Sequence, residues 1–206
     1  MDLHSIRTFL RQWVRDPVRT ASVTPSGRQL ARLMVSQLPP DCGCIAELGA
    51  GTGVFTRALL DAGISPSRLL VVEINRHLAE FLRKRFHGIA VACADARHLD
   101  TLAAEHGLLA GGKLDAVVSG LGMLSMSSEL RCEILRAAFA ALDERGRFIQ
   151  FTYAPFSPVR RREREALGLR VRRAGFAPRN LPPATVYVYE RLRSQQIVGV
   201  RQPPGL

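Results

Sequence analysis

The chain has 206 residues, of which 47% are hydrophobic, so it is long and apolar enough for one folded domain and too apolar for a disordered one. No apolar run reaches the ~20 residues that would span a bilayer, and Arg7, Arg11 and Arg15 interrupt the amino-terminal segment, so neither a membrane-spanning helix nor a secretory leader is predicted. The four cysteines lack the paired spacing of a zinc site, so we expect free thiols, no metal and a cytoplasmic protein.

The net charge of +11 is unevenly distributed along the chain. Residues 1–40 carry +4 and residues 151–206 carry +8, whereas residues 41–150 carry −1. Cationic flanks around a neutral centre favour a polyanionic surface as partner, either nucleic acid or anionic phospholipid. A coding bias towards Arg is an alternative source of this charge, because only two of the 29 cations are Lys.

The first 16 residues are predicted to form an amphipathic helix that ends before Pro17. An apolar arc opposite an Arg stripe is typical of a helix lying on anionic lipid, and docking on its own domain or on a second subunit is the alternative. The residues predicted to bind the membrane are Ile6, Arg7, Phe9, Leu10, Arg11, Trp13 and Arg15. A second helix ends at Pro39, so residues 1–40 are predicted to be a helical membrane-binding extension.

From residue 41 onwards, apolar strands alternate with helices, which predicts a mostly parallel, doubly wound α/β sheet. The predicted strands are Cys44–Leu48, Leu69–Glu73, Ile89–Cys93, Asp115–Ser119 and Arg147–Tyr153. The predicted helices are Val54–Ala62, Arg76–Phe86, Leu99–His106 and Ser128–Leu142. A short helix over Val159–Leu167 and a final pair of strands, Leu169–Phe176 and Ala184–Arg193, complete a domain of residues 41–193, and residues 194–206 are predicted to be a poorly ordered end.

A glycine-rich loop follows the first predicted strand and precedes a helix. Gly49, Gly51 and Gly53 permit a backbone with positive φ that approaches a ligand closely. The spacing is one residue shorter than that of a dinucleotide-binding loop, and Glu47 would repel a pyrophosphate but suit a cationic amino-acid group. A glycine turn without a ligand is the alternative.

Residues 47–53, with the sequence E-L-G-A-G-T-G, resemble motif I of class I methyltransferases that use S-adenosylmethionine (SAM). The resemblance implies that the loop, with Thr52, lies under the methionine part of SAM and that Glu47 contacts its amino group. It also implies a role for acids at later strand ends. Glu73, with Ile74 beside it, would accept hydrogen bonds from the ribose hydroxyls, and Asp95, with Ala96, would contact the adenine. The alternative for Asp95 is an acid that only stabilises the amino terminus of the following helix through the helix dipole.

The stretch after the fourth strand bears on the methyl acceptor. By the same resemblance, Ser119 ends the strand at the place where the acceptor meets the methyl group. Enzymes that methylate a base nitrogen have an Asn or Asp, a Pro and an aromatic residue here, whereas this chain has Ser119, Gly122 and Met123. A planar base would lack its stacking partner, so a nucleic-acid partner is disfavoured.

Several further stretches resemble bacterial phospholipid N-methyltransferases of the soluble, rhizobial type, which are related to rRNA adenine dimethylases. These stretches are D-P at 16–17, V-T-P-S at 23–26, V-S-G-L at 118–121, Q-F-T-Y at 150–153 and R-N-L-P-P-A at 179–184. The resemblance implies methylation of phosphatidylethanolamine towards phosphatidylcholine on the inner face of the bacterial membrane, with SAM as cofactor and S-adenosylhomocysteine as product. Ala50 and Gly122 depart from the prolines of many members.

Two groups of residues are candidates for binding the lipid. Tyr153 would bind or deprotonate the amine, since a methylated ammonium suits an aromatic face, although an ordinary strand tyrosine is the alternative. Arg179 and Asn180 would hold the lipid phosphate. The basic run at 160–164 is either a lipid attachment or a solvated helix face.

Three functions therefore stay open from the sequence. The first is methylation of a lipid amine. The second is methylation of an adenine in RNA or DNA, and the third is a SAM-binding or basic peripheral membrane protein without catalysis.

Overall fold

The computed structural model describes residues 25–192, with a seven-stranded sheet covered by helices on both faces. The helices are α1 (Pro25–Val35), α2 (Val54–Asp61), α3 (Arg76–Arg85), α4 (Leu99–Glu105), α5 (Ser128–Ala141) and α6 (Arg161–Ala166). The strands are β1 (Ile45–Leu48), β2 (Leu69–Val72), β3 (Ala90–Ala92), β4 (Leu114–Ser119), β5 (Leu142–Thr152), β6 (Leu169–Ala177) and β7 (Ala184–Arg191). The predicted helix over Met1–Asp16, with its membrane-binding residues, and the predicted end 194–206 lie outside the described residues.

The strand order is β3-β2-β1-β4-β5-β7-β6, with the first five strands parallel. β7 pairs antiparallel with both β5 and β6, so the last strand of residues 25–192 is inserted between the two before it in the sequence. This arrangement confirms the predicted sheet, which is mostly parallel with an antiparallel last strand. The strand order reverses between β1 and β4, and in open α/β sheets ligands bind outside the carboxyl ends of the strands at such a switch point.

The central strands are apolar because both faces of the sheet are buried. All four residues of β1 and of β2 are buried, as continuous apolar runs predict for a parallel sheet. One face packs on α4 and α5 through residues such as Leu99 and Leu135. The opposite face packs on α1, α2 and α3 through residues such as Met34 and Leu59.

The predicted element ends agree with the structure to within one or two residues, with one larger difference. β5 begins at Leu142 and not at Arg147, because α5 passes directly into the strand and Leu142 pairs with Leu114 across a shifted register. The segment 143–145 is exposed and polar, which is why its composition indicates a turn. No helix of the described residues is long and apolar enough to cross a bilayer.

Candidate active site

The glycine-rich loop leaves β1 and turns into α2 with three residues in the left-handed region. Gly49, Gly51 and Gly53 have φ of 67°, 57° and 80°. A Cβ atom on Gly51 would meet nothing within 4 Å, so the space above the loop is open to a ligand. A Cβ atom on Gly53 would collide with the ring of Phe86, so this glycine also lets α3 pack against the start of α2. Thr52 is half-buried, and its carbonyl accepts from Arg85 at 3.2 Å.

Glu73 directly follows β2 and holds the glycine-rich loop. Its two carboxylate oxygens accept from the backbone N–H groups of Gly51 and Asn75, each at 2.9 Å. The side chain is 6% exposed, at the edge of the open space above the loop. Ile74, at the same strand end, is an apolar side chain that is 69% exposed.

Glu47 is completely buried beneath the loop. One carboxylate oxygen accepts from the Thr56 hydroxyl at 2.6 Å, and the other has no hydrogen-bond partner in the described structure. Burial raises the pKa of the Glu47 carboxyl to about 7, against the lowering effect of Thr56, and the nearby charge of Glu73 raises it further. A buried carboxylate oxygen that lacks a donor fits the cationic amino group of a methionine moiety.

Asp95 follows β3 and caps the short turn at its end. It accepts from the backbone N–H of Arg97 at 2.9 Å and forms an ion pair with the Arg97 guanidinium. The hydrogen bond from Arg97 lowers the pKa of Asp95. The capping role that the sequence left open is therefore present, and Ala96 is buried next to it.

The segment that follows β4, residues 120–124, packs against the glycine-rich loop. We call residues 120–124 the acceptor segment and the glycine-rich loop, residues 49–53, the donor loop. Ser119, the last residue of β4, is completely buried, and its hydroxyl lies 3.4 Å from the backbone N–H of Leu121. A Cβ atom on Gly120 would lie 2.6 Å from the Gly49 carbonyl oxygen, and a Cβ atom on Gly49 would lie 2.7 Å from the Leu121 side chain. The two segments therefore touch along their backbones.

A small cavity opens on the acceptor side of this contact. Its volume is about 20 Å³, enough for about one water molecule. Its lining is uncharged and consists of Gly120, Leu121, Gly122, Met123, Leu124, Phe151, Thr152, Tyr153 and Pro158. Gln150, buried beside it, donates to the Leu121 carbonyl at 3.0 Å and so joins β5 to the acceptor segment.

Tyr153 is half-buried at the end of β5, with its ring edge-on to Phe151 at 5.3 Å. Burial raises the pKa of Tyr153 to about 12, against a lowering hydrogen bond from Asn180. Asn180 is itself buried and donates to the Pro182 carbonyl at 2.6 Å, whereas the Arg179 side chain is exposed. The structure thus brings Asn180 to Tyr153 and leaves Arg179 at the surface.

A buried ion pair, not predicted from the sequence, joins α5 to α6 and holds the segment after β4. Arg131 of α5 donates to Glu163 of α6 at 2.6 Å and to the carbonyls of Met123 and Met126 at 3.1 and 2.6 Å. Glu163 also accepts from Ser128 at 2.5 Å. Burial opposes ionisation of Glu163, but the hydrogen bonds from its partners prevail and lower its pKa.

The basic run at 160–164 is therefore only partly a solvated helix face. Arg161 and Arg162 are exposed, but Glu163 is 5% exposed within the ion pair. The sequence contains a signal for this arrangement. Arg131 lies at helical spacing with Ile134, Leu135 and Ala138, the buried face of α5, and a buried Arg needs a buried acid.

Comparison with known proteins assigns the family. The chain is 33% identical to the ornithine lipid N-methyltransferase of Singulisphaera acidiphila over 185 residues, which cover 87% of this chain and 92% of the relative. The chain belongs to the lipid N-methyltransferases. It is also 32% identical to a ribosomal RNA small subunit methyltransferase A of a Synechococcus strain, but over only 39% of this chain and 25% of that relative. No family model matches the sequence.

Solved structures agree on the fold of this lipid N-methyltransferase. The 1,6-didemethyltoxoflavin N1-methyltransferase of Burkholderia thailandensis, solved with S-adenosylhomocysteine, superposes with a TM-score of 0.63. It is 13% identical, and the match covers 91% of this chain and 87% of that one. The predictions of a class I methyltransferase fold, of a lipid N-methyltransferase family and of SAM as cofactor are confirmed.

Proposed function

We propose that this lipid N-methyltransferase transfers methyl groups from SAM to the amine of phosphatidylethanolamine and of its mono- and dimethylated forms at the membrane surface. The observation that carries the proposal is the backbone contact between Gly49 of the donor loop and Gly120 of the acceptor segment. This contact places an uncharged surface, formed by residues such as Leu121, Met123 and Tyr153, beside the open donor loop, and such a surface suits an apolar-tailed amine. In-line transfer needs such alignment above all, since charge disperses as the methyl group moves.

The residues around the glycine-rich loop fit the methyl donor, which supplies an activated methyl group on a sulfonium. The unpartnered oxygen of Glu47 would bind its amino group, Glu73 its ribose, and Asp95 with Ala96 its adenine edge. The exposed Ile74 would pack on the adenine face. The open space above Gly51 leaves room for the methionine part of SAM along the loop, beside Thr52 and Gly53.

On the acceptor side, Tyr153 would bind the amine through its ring and hydroxyl. With a pKa raised to about 12, its phenolate is a negligible fraction at neutral pH, so we assign Tyr153 to binding and not to deprotonation. Ser119 would orient the acceptor segment through Leu121, and Asn180 would orient the Tyr153 hydroxyl. Arg179 would pair with the lipid phosphate at the surface. No carboxylate or imidazole is among the described residues lining the cavity, so we assign the amine proton to water.

The amine of an ornithine lipid is the second candidate acceptor, because a curated relative that matches 87% of this chain is an ornithine lipid N-methyltransferase. Both acceptors offer a primary amine on a lipid with an anionic group close to it. Membrane attachment on the cytoplasmic side, through the predicted helix of residues 1–16, is part of the proposal for either acceptor.

The decisive experiment incubates the protein with labelled SAM and vesicles that contain either phosphatidylethanolamine or ornithine lipid, and a short RNA serves as the third substrate. Label in phosphatidylethanolamine and its methylated forms supports the proposal. Label confined to ornithine lipid would transfer the function to the second candidate. Label in RNA alone, or SAM binding without any transfer, would refute lipid methylation.

A further inference from the structure

A second cavity lies away from the acceptor site, between α1 and α2. Its volume is about 710 Å³, within the usual range of ligand sites. Ala31 and Val35 of α1 face Val54 and Ala58 of α2 across its floor, which is therefore apolar. We call this cavity the arginine groove, because Arg28, Arg32, Arg57 and Arg85 line it; the guanidinium groups of Arg57 and Arg85 each lie over the Phe86 ring, 5.4 Å from its centroid.

The charge of the arginine groove is largely unbalanced. Asp61 is the one carboxylate among the described residues that line it, and it lies 3.9 Å from Arg57. Both side chains of this pair are more than half exposed, so the pair neutralises the groove only weakly. Four cations around a concave apolar floor concentrate a positive potential that attracts an anion.

The arginine groove adjoins the donor loop. Thr52 and Gly53 line it, and Arg85, which also lines it, donates to the Thr52 carbonyl at 3.2 Å. One end of the groove therefore lies at the carboxyl end of β1, and its other end reaches Asp61 and Ala62 at the far end of α2. A membrane lipid bound at the β1 end of the groove would hold the donor loop and the acceptor segment close to the membrane surface.

We propose that the arginine groove binds the anionic phosphodiester of a membrane phospholipid, with its acyl chains along the apolar floor. This inference rests on the proposed function, since it assumes an enzyme that works on a membrane. The groove combines arginine side chains with an apolar floor. A phospholipid matches both, because its phosphodiester is anionic and its acyl chains are apolar. The protein would thereby be oriented with its active edge towards the lipid.

Two other occupants match the groove less well. Residues 1–24 of this chain carry Arg7, Arg11, Arg15 and Arg19 against Asp2 and Asp16, so their net positive charge opposes docking on four arginines. RNA would satisfy the charge, but no aromatic side chain is among the described residues lining the groove, and single-stranded bases bind by stacking.

The test compares two triple variants of equal charge in the full chain. The groove variant is Arg28→Gln, Arg32→Gln and Arg57→Gln, and Arg85 is kept because it holds the donor loop. The control variant is Arg136→Gln, Arg145→Gln and Arg170→Gln, at exposed arginines that do not line the groove. Binding is measured by sedimentation with vesicles of phosphatidylcholine alone or mixed with phosphatidylglycerol.

The groove variant should lose about 100-fold in affinity for the mixed vesicles, since each cation near such a surface contributes about fivefold. The control variant should lose less than about tenfold, because its arginines act only through net charge. Equal losses in both variants, or none in the groove variant, would overturn the inference. A short-chain phosphatidylglycerol, below its micelle concentration, should bind the wild type and not the groove variant.

Three added measurements separate the remaining explanations. Competition by inorganic phosphate as strong as that by the short-chain lipid would reduce the groove to a simple anion site and refute the lipid assignment. Loss of RNA binding with full retention of vesicle binding in the groove variant would replace the lipid by RNA. Methyl transfer to detergent-dispersed lipid should survive in the groove variant; if the wild type lacks it, the proposed function fails independently of the groove.

Discussion

The two halves of the candidate active site are built in different ways. The donor half consists of the glycine-rich loop and the acids at the ends of β1, β2 and β3, and each of its parts is held by neighbours at the same strand ends. The acceptor half consists of residues 119–124 and 151–153 with Asn180, and it is held by contacts between distant parts of the chain. A short sequence motif therefore predicts how the donor half is built, whereas no single motif predicts how the acceptor half is held.

The largest effect that we expect is on the ion pair beneath the acceptor half. Glu163→Ala leaves Arg131 buried without its acid, so the free energy of unfolding should fall by about 3–5 kcal/mol, measured by urea denaturation. The matched control is Glu165→Ala on the same helix, which removes an exposed ion pair with Arg161 at 2.7 Å and should cost less than about 1 kcal/mol. Similar costs for both variants would contradict the difference in burial.

Glu47 should make the stability of the ligand-free protein depend on pH. Its folded pKa of about 7 lies above the ordinary value of 4.5, so the folded state binds the extra proton. Its contribution is complete below about pH 4.5 and is lost as pH rises to about 7, on the order of 3 kcal/mol in total. Glu47→Gln should remove this part of the pH dependence, which is measured from denaturation curves at pH 5 and pH 7. If the stability of the variant changes with pH as much as that of the wild type, the raised pKa does not belong to Glu47.

Glu73→Ala should weaken SAM binding about 100-fold, the largest effect that we expect on the affinity for the methyl donor. The loss combines the ribose contact with the release of the loop, because the N–H groups of Gly51 and Asn75 lose their acceptor. Calorimetric titration measures this effect. Glu80→Ala, an exposed acid on α3, is the control and should bind SAM as the wild type does. Undiminished affinity in Glu73→Ala would remove Glu73 from the donor site.

Gly120→Ala tests the contact between the two halves. The added methyl group would meet the Gly49 carbonyl oxygen at 2.6 Å, so we expect a loss of stability of about 1–3 kcal/mol together with weaker SAM binding. Gly122→Ala adds the same group two residues later, where the nearest atom is the Ser125 hydroxyl at 3.5 Å, and should be close to neutral. Thermal denaturation and calorimetry of both variants decide whether the close approach is present in solution.

Tyr153→Phe should have the smallest effect, one confined to the acceptor half. It keeps the ring and removes the hydroxyl bound by Asn180, so kcat/KM for the lipid should fall about tenfold while the affinity for SAM stays unchanged. The KM should rise more than kcat falls, since the tyrosine binds the amine. A loss in kcat alone, with a changed pH profile, would instead assign Tyr153 to proton transfer.

The amino-acid sequence by itself determined the alternation of strands and helices, the glycine-rich loop and the acids at the carboxyl ends of β1, β2 and β3. These features arise from local periodicity and from residues at fixed distances from strand ends, so they can be read without knowing what lies next to them. The ends of the helices and strands followed to within a residue or two, except for the start of β5, where the polar and exposed residues 143–145 follow the buried Leu142.

Tertiary structure alone decided how the acceptor half is held and where the arginine groove lies. Arg131 and Glu163 are 32 residues apart, and the contact of Gly120 with Gly49 joins segments separated by six further elements of the fold, from α2 to β4. The groove exists because α1 packs beside α2 on one face of the sheet. Such contacts depend on chain segments meeting in space, and single-residue patterns carry no information on which segments will meet.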